Sequence, residues 1–385
     1  MRERAYLDHN ASSPLRAEVM EAMIGALAGA GNASSVHREG RQARAVVEMA
    51  REEVAGLCGV SGPQVVFTSG GTEANVMALS PAWLEPGEGR RLYVSAVEHP
   101  SVLKGGQFAA GDIEILPVDG SGIVDIDSAA ERFRQRGGTP FMASLMLANN
   151  ETGVIQPVER FAELVHAHGG ILHCDAVQGA GKLALDAAIR SADLVTLSAH
   201  KFGGPKGAGA LVLANDRLGF ARPLLAGGGQ ERGYRAGTEN IAAISGFGVA
   251  AGIAARELAD AARRLAQLRN RIEADVARIA PDAVIVAQNA ERLPGTLCFA
   301  VAGMQAETLL IAFDLAGVSL SAGSACSSGK VERSHVLTAM GMAPGLASAA
   351  VRVSLGWSSA ESDAEQFSAA WQGIYSKFQE RRRAA

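Results

Sequence analysis

The sequence predicts an α/β fold, with a mostly parallel sheet in a large domain, helices on both faces, and a smaller α+β domain. Three observations predict it. Short β-rich runs alternate with helical stretches between about residues 65 and 215, the rhythm of strand-crossover-strand units. At 385 residues the chain exceeds the size at which one hydrophobic core usually stops growing, which calls for a second unit. It also carries 45 glycines, well above the usual share of roughly 7%, so many tight backbone turns are needed.

In chain order, the expected strands are 65–68, 92–96, 113–117, 141–147, 171–173, 194–197 and 210–213. Helices are expected at 42–57, 72–79 and 158–168, the first with apolar residues at roughly helical spacing. The uncharged segment 241–255 reads as a packed helix, too short to span a bilayer and diluted by glycine, alanine and serine. Near Gly252 the pattern changes to a long charged helix, 256–279, expected to bridge the domains. The large domain is placed at 16–255, and the small one at 1–15 and 256–385.

Charge and composition exclude several classes. A net charge of −4 gives no electrostatic reason for a nucleic-acid partner, and Arg381, Arg382 and Arg383 form a terminal tail. The first ten residues include Arg2, Glu3, Arg4 and Asp8, so no apolar stretch of signal type opens the sequence, and the cytoplasm is the expected location. Cys58, Cys174, Cys298 and Cys326 are scattered without ligand spacing, against a structural metal or a disulfide framework.

Ligands in open α/β sheets sit beyond the carboxyl ends of the strands, so the polar residues that follow each apolar run are the ones to weigh. Ser69-Gly70-Gly71-Thr72 before a helix offers N–H groups and a positive dipole end to a phosphate, though the same residues make an ordinary capped turn. Asp175 ends another run, and Ser198-Ala199-His200-Lys201 a third. A lysine amine, an acid and a phosphate cradle are what pyridoxal phosphate requires. His99, Asn150 and Gln178 extend the same rim; by itself His99 reads first as a structural histidine. Arg352 interrupts an apolar strand of the second domain and wants a carboxylate, either an amino-acid substrate or an interdomain ion pair. Cys326 lies in a run of small polar residues, 321–330, expected to form a mobile loop with a reachable thiol; the other three cysteines sit in apolar runs and read as inert.

Together these residues resemble the NifS/IscS-like cysteine desulfurases of the class V aminotransferase group, fold type I pyridoxal-phosphate enzymes. The resemblance runs through Tyr6-Leu7-Asp8-His9-Asn10-Ala11-Ser12-Ser13-Pro14, Gly31-Asn32, Ser35-Val36-His37, Phe67-Thr68-Ser69-Gly70-Gly71-Thr72-Glu73 and Glu98-His99. It continues through Asn149-Asn150-Glu151-Thr152-Gly153, Asp175-Ala176-Val177-Gln178, Ser198-Ala199-His200-Lys201, 227–233, Arg235-Ala236-Gly237-Thr238 and Ser324-Ala325-Cys326-Ser327. Ala33 and Val76 depart from the residues common there, proline and asparagine, at positions without chemistry.

The resemblance implies that Lys201 holds the cofactor, Asp175 its pyridinium, Gln178 its ring oxygen, and Gly71, Thr72, Ser198 and His200 its phosphate. His99 stacks on the ring and manages a thiol proton, while Asn150 and Arg352 hold the substrate carboxylate. Thr238 reaches the phosphate of the neighbouring subunit, which implies a homodimer. The implied activity converts L-cysteine to L-alanine and places the sulfur on Cys326 as a persulfide, for transfer to an acceptor or an iron-sulfur scaffold protein. No metal is required, beyond a contact of Cys326 with an iron-sulfur cluster during transfer. A selenocysteine lyase or an aminotransferase on the same scaffold, and a noncatalytic partner of sulfur-carrier proteins, remain open alternatives.

Overall fold

A computed structural model describes residues 4–87, 89–215, 218, 222–322 and 333–384. Residues 323–332, and with them Cys326, lie outside the described residues.

A seven-stranded sheet forms the largest layer, in the order Val65–Thr68, Gly209–Leu213, Leu194–Ser198, Ile171–Asp175, Phe141–Ser144, Arg91–Ser95, Ile113–Leu116. Only Gly209–Leu213 runs opposite to the rest, so six carboxyl ends share one edge. The central strands are buried on both faces, as expected where helical crossovers cover a parallel sheet. Two strand ends differ from the sequence expectation by more than one residue. The strand from Ile171 extends through Asp175, and the one from Phe141 ends at Ser144, although the N–H groups of Leu145 and Leu147 go on pairing with the carbonyls of His173 and Asp175 before the chain enters the loop of Asn150.

Helix Arg38–Cys58 is closed by Gly59 in the left-handed conformation, φ 67°, which glycine adopts without steric cost. Helix Ile126–Gln135 starts where the Asp125 side chain accepts from the N–H of Ser128, and helix Gly71–Ala78 starts directly beyond strand Val65–Thr68.

Segments 241–255 and 256–279, distinct in composition, form a single helix, Ile241–Ile279. Asn240 caps it by accepting from the N–H of Ala243. Phe247, Ala250, Ala251 and Ala254 pack into the core under the large sheet, whereas Leu265, Leu268, Ile272 and Val276 pack into a second core. Gly248 permits the close crossing with helix Arg38–Cys58, since a Cβ there would stand 2.5 Å from the Ala50 Cα. An 18-residue window of this helix has a mean hydropathy of 1.4, so length alone does not exclude a membrane span; 61% of that window is buried within the fold.

The second core lies against an antiparallel sheet ordered Ser321–Ala322, Val351–Ser354, Thr296–Val301, Ala283–Ile285. Trp371, fully buried, stacks on Phe313 with ring centroids 6.0 Å apart. The amino-terminal Ala5–Tyr6 pairs in parallel with Val318–Ser319 and so joins this part of the molecule.

Two histidines in these cores carry a pH prediction. Burial above all holds His9 at about 3 and His173 at about 4, so both stay neutral in the fold. Unfolding below the ordinary histidine pKa then takes up protons. Stability is therefore complete above about pH 6.5 and declines as the pH falls toward 4, by about 1.4 kcal/mol per unit for each histidine. Urea unfolding is expected to show about 4 kcal/mol less stability at pH 5 than at pH 7; equal stabilities at the two values would contradict the assignment.

Candidate active site

At the shared strand edge lies a cavity of about 340 Å³, within the range of roughly 300–1,000 Å³ usual for small-molecule sites. Ten of the residues singled out from sequence line it: Gly71, Thr72, His99, Asn150, Asp175, Gln178, Ser198, His200, Lys201 and Arg352. Thr238 does not join them. It is exposed and borders a separate depression with Ser69, Arg235 and Asn240. Cys326 lies outside the described residues.

Each side chain is placed by its strand end. Asp175 is the last residue of its strand, with Oδ1 accepting from the N–H of Val177 at 3.0 Å and Oδ2 from Asn75 Nδ2 at 2.9 Å. Asn75, buried on helix Gly71–Ala78, also donates to Ser101 Oγ at 2.9 Å and accepts from Thr196 Oγ1 at 2.6 Å. Ser101 in turn contacts His99 Nδ1 at 2.7 Å through Oγ and donates its backbone N–H to the same nitrogen at 3.1 Å. That N–H can only donate, so Nδ1 of His99 accepts and Nε2 carries the ring proton. Burial lowers the His99 pKa, Asp175 opposing it, so the neutral ring is favoured.

Lys201 sits in the turn after strand Leu194–Ser198, its Nζ donating to the carbonyls of Asn10 at 2.8 Å and Ala11 at 3.0 Å. Burial first, then the Arg352 guanidinium, lower its amine to about 8. Asn150 is set in its loop by Asn149, whose Oδ1 accepts the N–H groups of Glu151 and Thr152 at 2.9 and 3.0 Å. Arg352 is 2% exposed; Nη1 donates to the Asn150 carbonyl at 2.8 Å and Nη2 to Asp8 Oδ1 at 2.7 Å. Both sequence readings of Arg352 therefore meet in one residue, an ion pair and a place in the cavity wall, and its Nε is buried without a partner.

Gly71 opens the helix in close contact: a Cβ there would meet Val177 at 3.0 Å and Ser198 at 3.3 Å. A side chain would fill the space where backbone N–H groups at the helix start face the cavity. The lining thus supplies an amine, a carboxylate, an amide, first-turn donors with a hydroxyl, and a guanidinium with an unpartnered nitrogen. That donor set fits pyridoxal phosphate and an amino-acid carboxylate.

Sequence reasoning missed Asn75, Ser101 and Lys182 and gave Asn10 and Glu98 no task. Asn75 had one signal, its place one helical turn beyond Gly71-Thr72. Glu98 is fully buried; Oε1 accepts from the N–H of Met146 at 2.6 Å, Oε2 has no partner, and burial with nearby Asp175 pushes its carboxyl well up. The remaining cysteines are the inert kind expected. All three are buried, with Cys58 and Cys298 pushed up to about 12 by desolvation.

Residues 5–367 match the class-V aminotransferase family. Among curated relatives, a cysteine desulfurase IscS of Dictyoglomus turgidum is 39% identical over 361 residues, 92% of this chain and 90% of that protein. A cysteine desulfurase of Sinorhizobium fredii is 37% identical over 383 residues, 98% of each. The solved structure of a NifS-like protein from Rickettsia africae superposes with a TM-score of 0.88 at 31% identity, covering 97% of this chain and 100% of that one. Fold and family together define a fold type I pyridoxal-phosphate enzyme. Within that class, the chain belongs to the NifS/IscS-like cysteine desulfurases.

Proposed function

We propose that the chain converts L-cysteine to L-alanine and passes the sulfur, as a persulfide on Cys326, to an acceptor for iron-sulfur cluster or other sulfur-containing cofactor assembly. The observation that carries this reading is the convergence of Lys201, Asp175, His99, Gln178 and Arg352 on one cavity, with an amine lowered to about 8 at its base. Lys201 would hold the cofactor, Asp175 would meet its ring nitrogen, Gln178 its ring oxygen, and Gly71, Thr72, Ser198 and His200 its phosphate. When bound, pyridoxal phosphate supplies a sink for the electron pair left at the substrate Cα.

The residues of the chain do the rest. Arg352 and Asn150 bind the substrate carboxylate. Lys201, with its pKa lowered to about 8, takes the Cα proton and returns one. His99, neutral with its proton on Nε2, would lie over the ring and offer that Nε2–H as the donor in the thiol's proton transfer. Cys326 attacks as the thiolate: its Sγ bonds to the substrate sulfur, the C–S bond breaks, and the carbon leaves as alanine, so one thiol and one cysteine become one persulfide and one alanine. Thr238 serves the phosphate of the neighbouring subunit in a cytoplasmic homodimer.

The test is alanine release from L-cysteine by the purified chain supplied with pyridoxal phosphate. Arg352→Lys keeps the charge opposite Asp8 but loses the planar fork, and is expected to raise the KM for L-cysteine roughly 10–100-fold with a smaller change in kcat. No alanine from the wild type would overturn the function; an unchanged KM in the variant would remove Arg352 from the substrate site.

A further inference from the structure

Lys182 is a second buried amine beside Lys201, and nothing in the chemistry above uses it. It lies seven residues beyond Asp175 in a turn that Gly181 makes possible, at φ 71°. Lys182 is 8% exposed and stands behind the cavity wall, whereas Gln178, one turn earlier, is part of that wall. The Lys182 Nζ donates to Gln178 Oε1 at 2.7 Å and to Asn10 Oδ1 at 2.8 Å. Gln178 Nε2 donates to the backbone carbonyl of Asn10 at 2.9 Å.

An amide has a donor end and an acceptor end, and these contacts settle which is which. Asn10 uses its own Nδ2 to donate to Thr296 Oγ1 at 3.0 Å and to the Asn150 carbonyl at 3.2 Å, so its Oδ1 is what Lys182 meets. A second N–H of Lys182 goes to Gln178 Oε1. Turning the Gln178 amide over would set Oε1 against the Asn10 carbonyl oxygen and Nε2 against the Lys182 nitrogen. The first contact repels whatever the charge of Lys182, and the second repels when Lys182 is protonated. In the observed arrangement one N–H of Gln178 Nε2 is engaged by Asn10 and the second remains for the cavity.

We infer that Lys182 is a positioning residue that locks the Gln178 amide with its donor end toward the cavity, so that an N–H rather than an oxygen meets the ring oxygen of the cofactor. This rests on the pyridoxal-phosphate reading of the site. It gives a buried lysine a task that neither a methionine, without donors, nor a glutamine, with either end available, could perform.

The experiment is a double-mutant cycle on the full chain, using variants of similar shape: Lys182→Met, Gln178→Met and both together. Each protein is stripped of cofactor and titrated with pyridoxal phosphate, followed by its visible absorbance band. Lys182→Met is expected to weaken binding about tenfold, and to add less than about threefold once Gln178 is already methionine. The band maximum of Lys182→Met is expected to shift in the same direction as that of Gln178→Met, which a general loss of stability would not produce. Equal losses in both backgrounds, or a band that moves in Gln178→Met alone, would overturn the proposal. A wild type that forms no visible band would overturn the cofactor reading instead. Melting of the stripped proteins checks folding, and Lys182→Gln repeats the comparison if Lys182→Met does not fold, with a smaller weakening expected that again depends on Gln178.

Discussion

Lys201→Ala is expected to give a colourless protein that forms alanine from L-cysteine at least about 10³-fold more slowly than the wild type. Two losses combine in that number. In the proposed mechanism the amine is both the nucleophile for the cofactor aldehyde and the base for the Cα proton. Its lowered pKa, about 8, follows from burial and from Arg352, so a useful fraction is neutral near physiological pH, where an exposed lysine would be almost wholly charged. The absorbance spectrum and an alanine assay check it together. Lys182 makes the test sharp, because a second buried amine shares Asn10 with Lys201. If Lys201→Ala stays yellow and active, the assignment of Lys201 is wrong and Lys182 becomes the amine to examine.

Cys326→Ala is expected to behave differently: yellow, able to bind L-cysteine, and about 10³-fold slower in alanine formation, with no persulfide on the protein. Retention of the band separates sulfur acceptance from cofactor binding. Comparison of L-cysteine with L-selenocysteine then distinguishes the related chemistries. A Cys326→Ala protein that still releases alanine from selenocysteine but not from cysteine keeps the desulfurase assignment, whereas full activity on cysteine would remove Cys326 from the mechanism. The inert thiols Cys58, Cys174 and Cys298 provide little background for the persulfide measurement, since all three are buried.

The strands of the large sheet were legible because Val, Ile, Leu and Phe runs end in polar or glycine-rich turns, and the site was legible because its groups follow those runs directly. Asp175, His99 and Lys201 could be found one strand at a time. Asn75 and Lys182 could not, since their meaning is spatial. Asn75 joins Asp175 to Ser101 across two elements, and Lys182 meets Asn10 from the far end of the chain. The helix Ile241–Ile279 was divided at its change of composition because the residues it packs against change there while the helical period does not. An uncharged half suits a crowded core beneath a sheet; a half rich in arginine suits a helix with one side in water.

That helix has a mechanical consequence. At 1.5 Å per residue its 39 residues make a rod of roughly 58 Å. It contributes a wall to each of two hydrophobic cores, so neither core can be opened without removing part of the other's lining. A cut near residue 255 would split the rod and strand Leu265 and Ile272 from the turns that continue into Phe247 and Ala251. The two halves are therefore expected to melt as one cooperative unit, with Arg352 on one sheet keeping its reach to the Asn150 carbonyl beside the other for as long as the rod is intact.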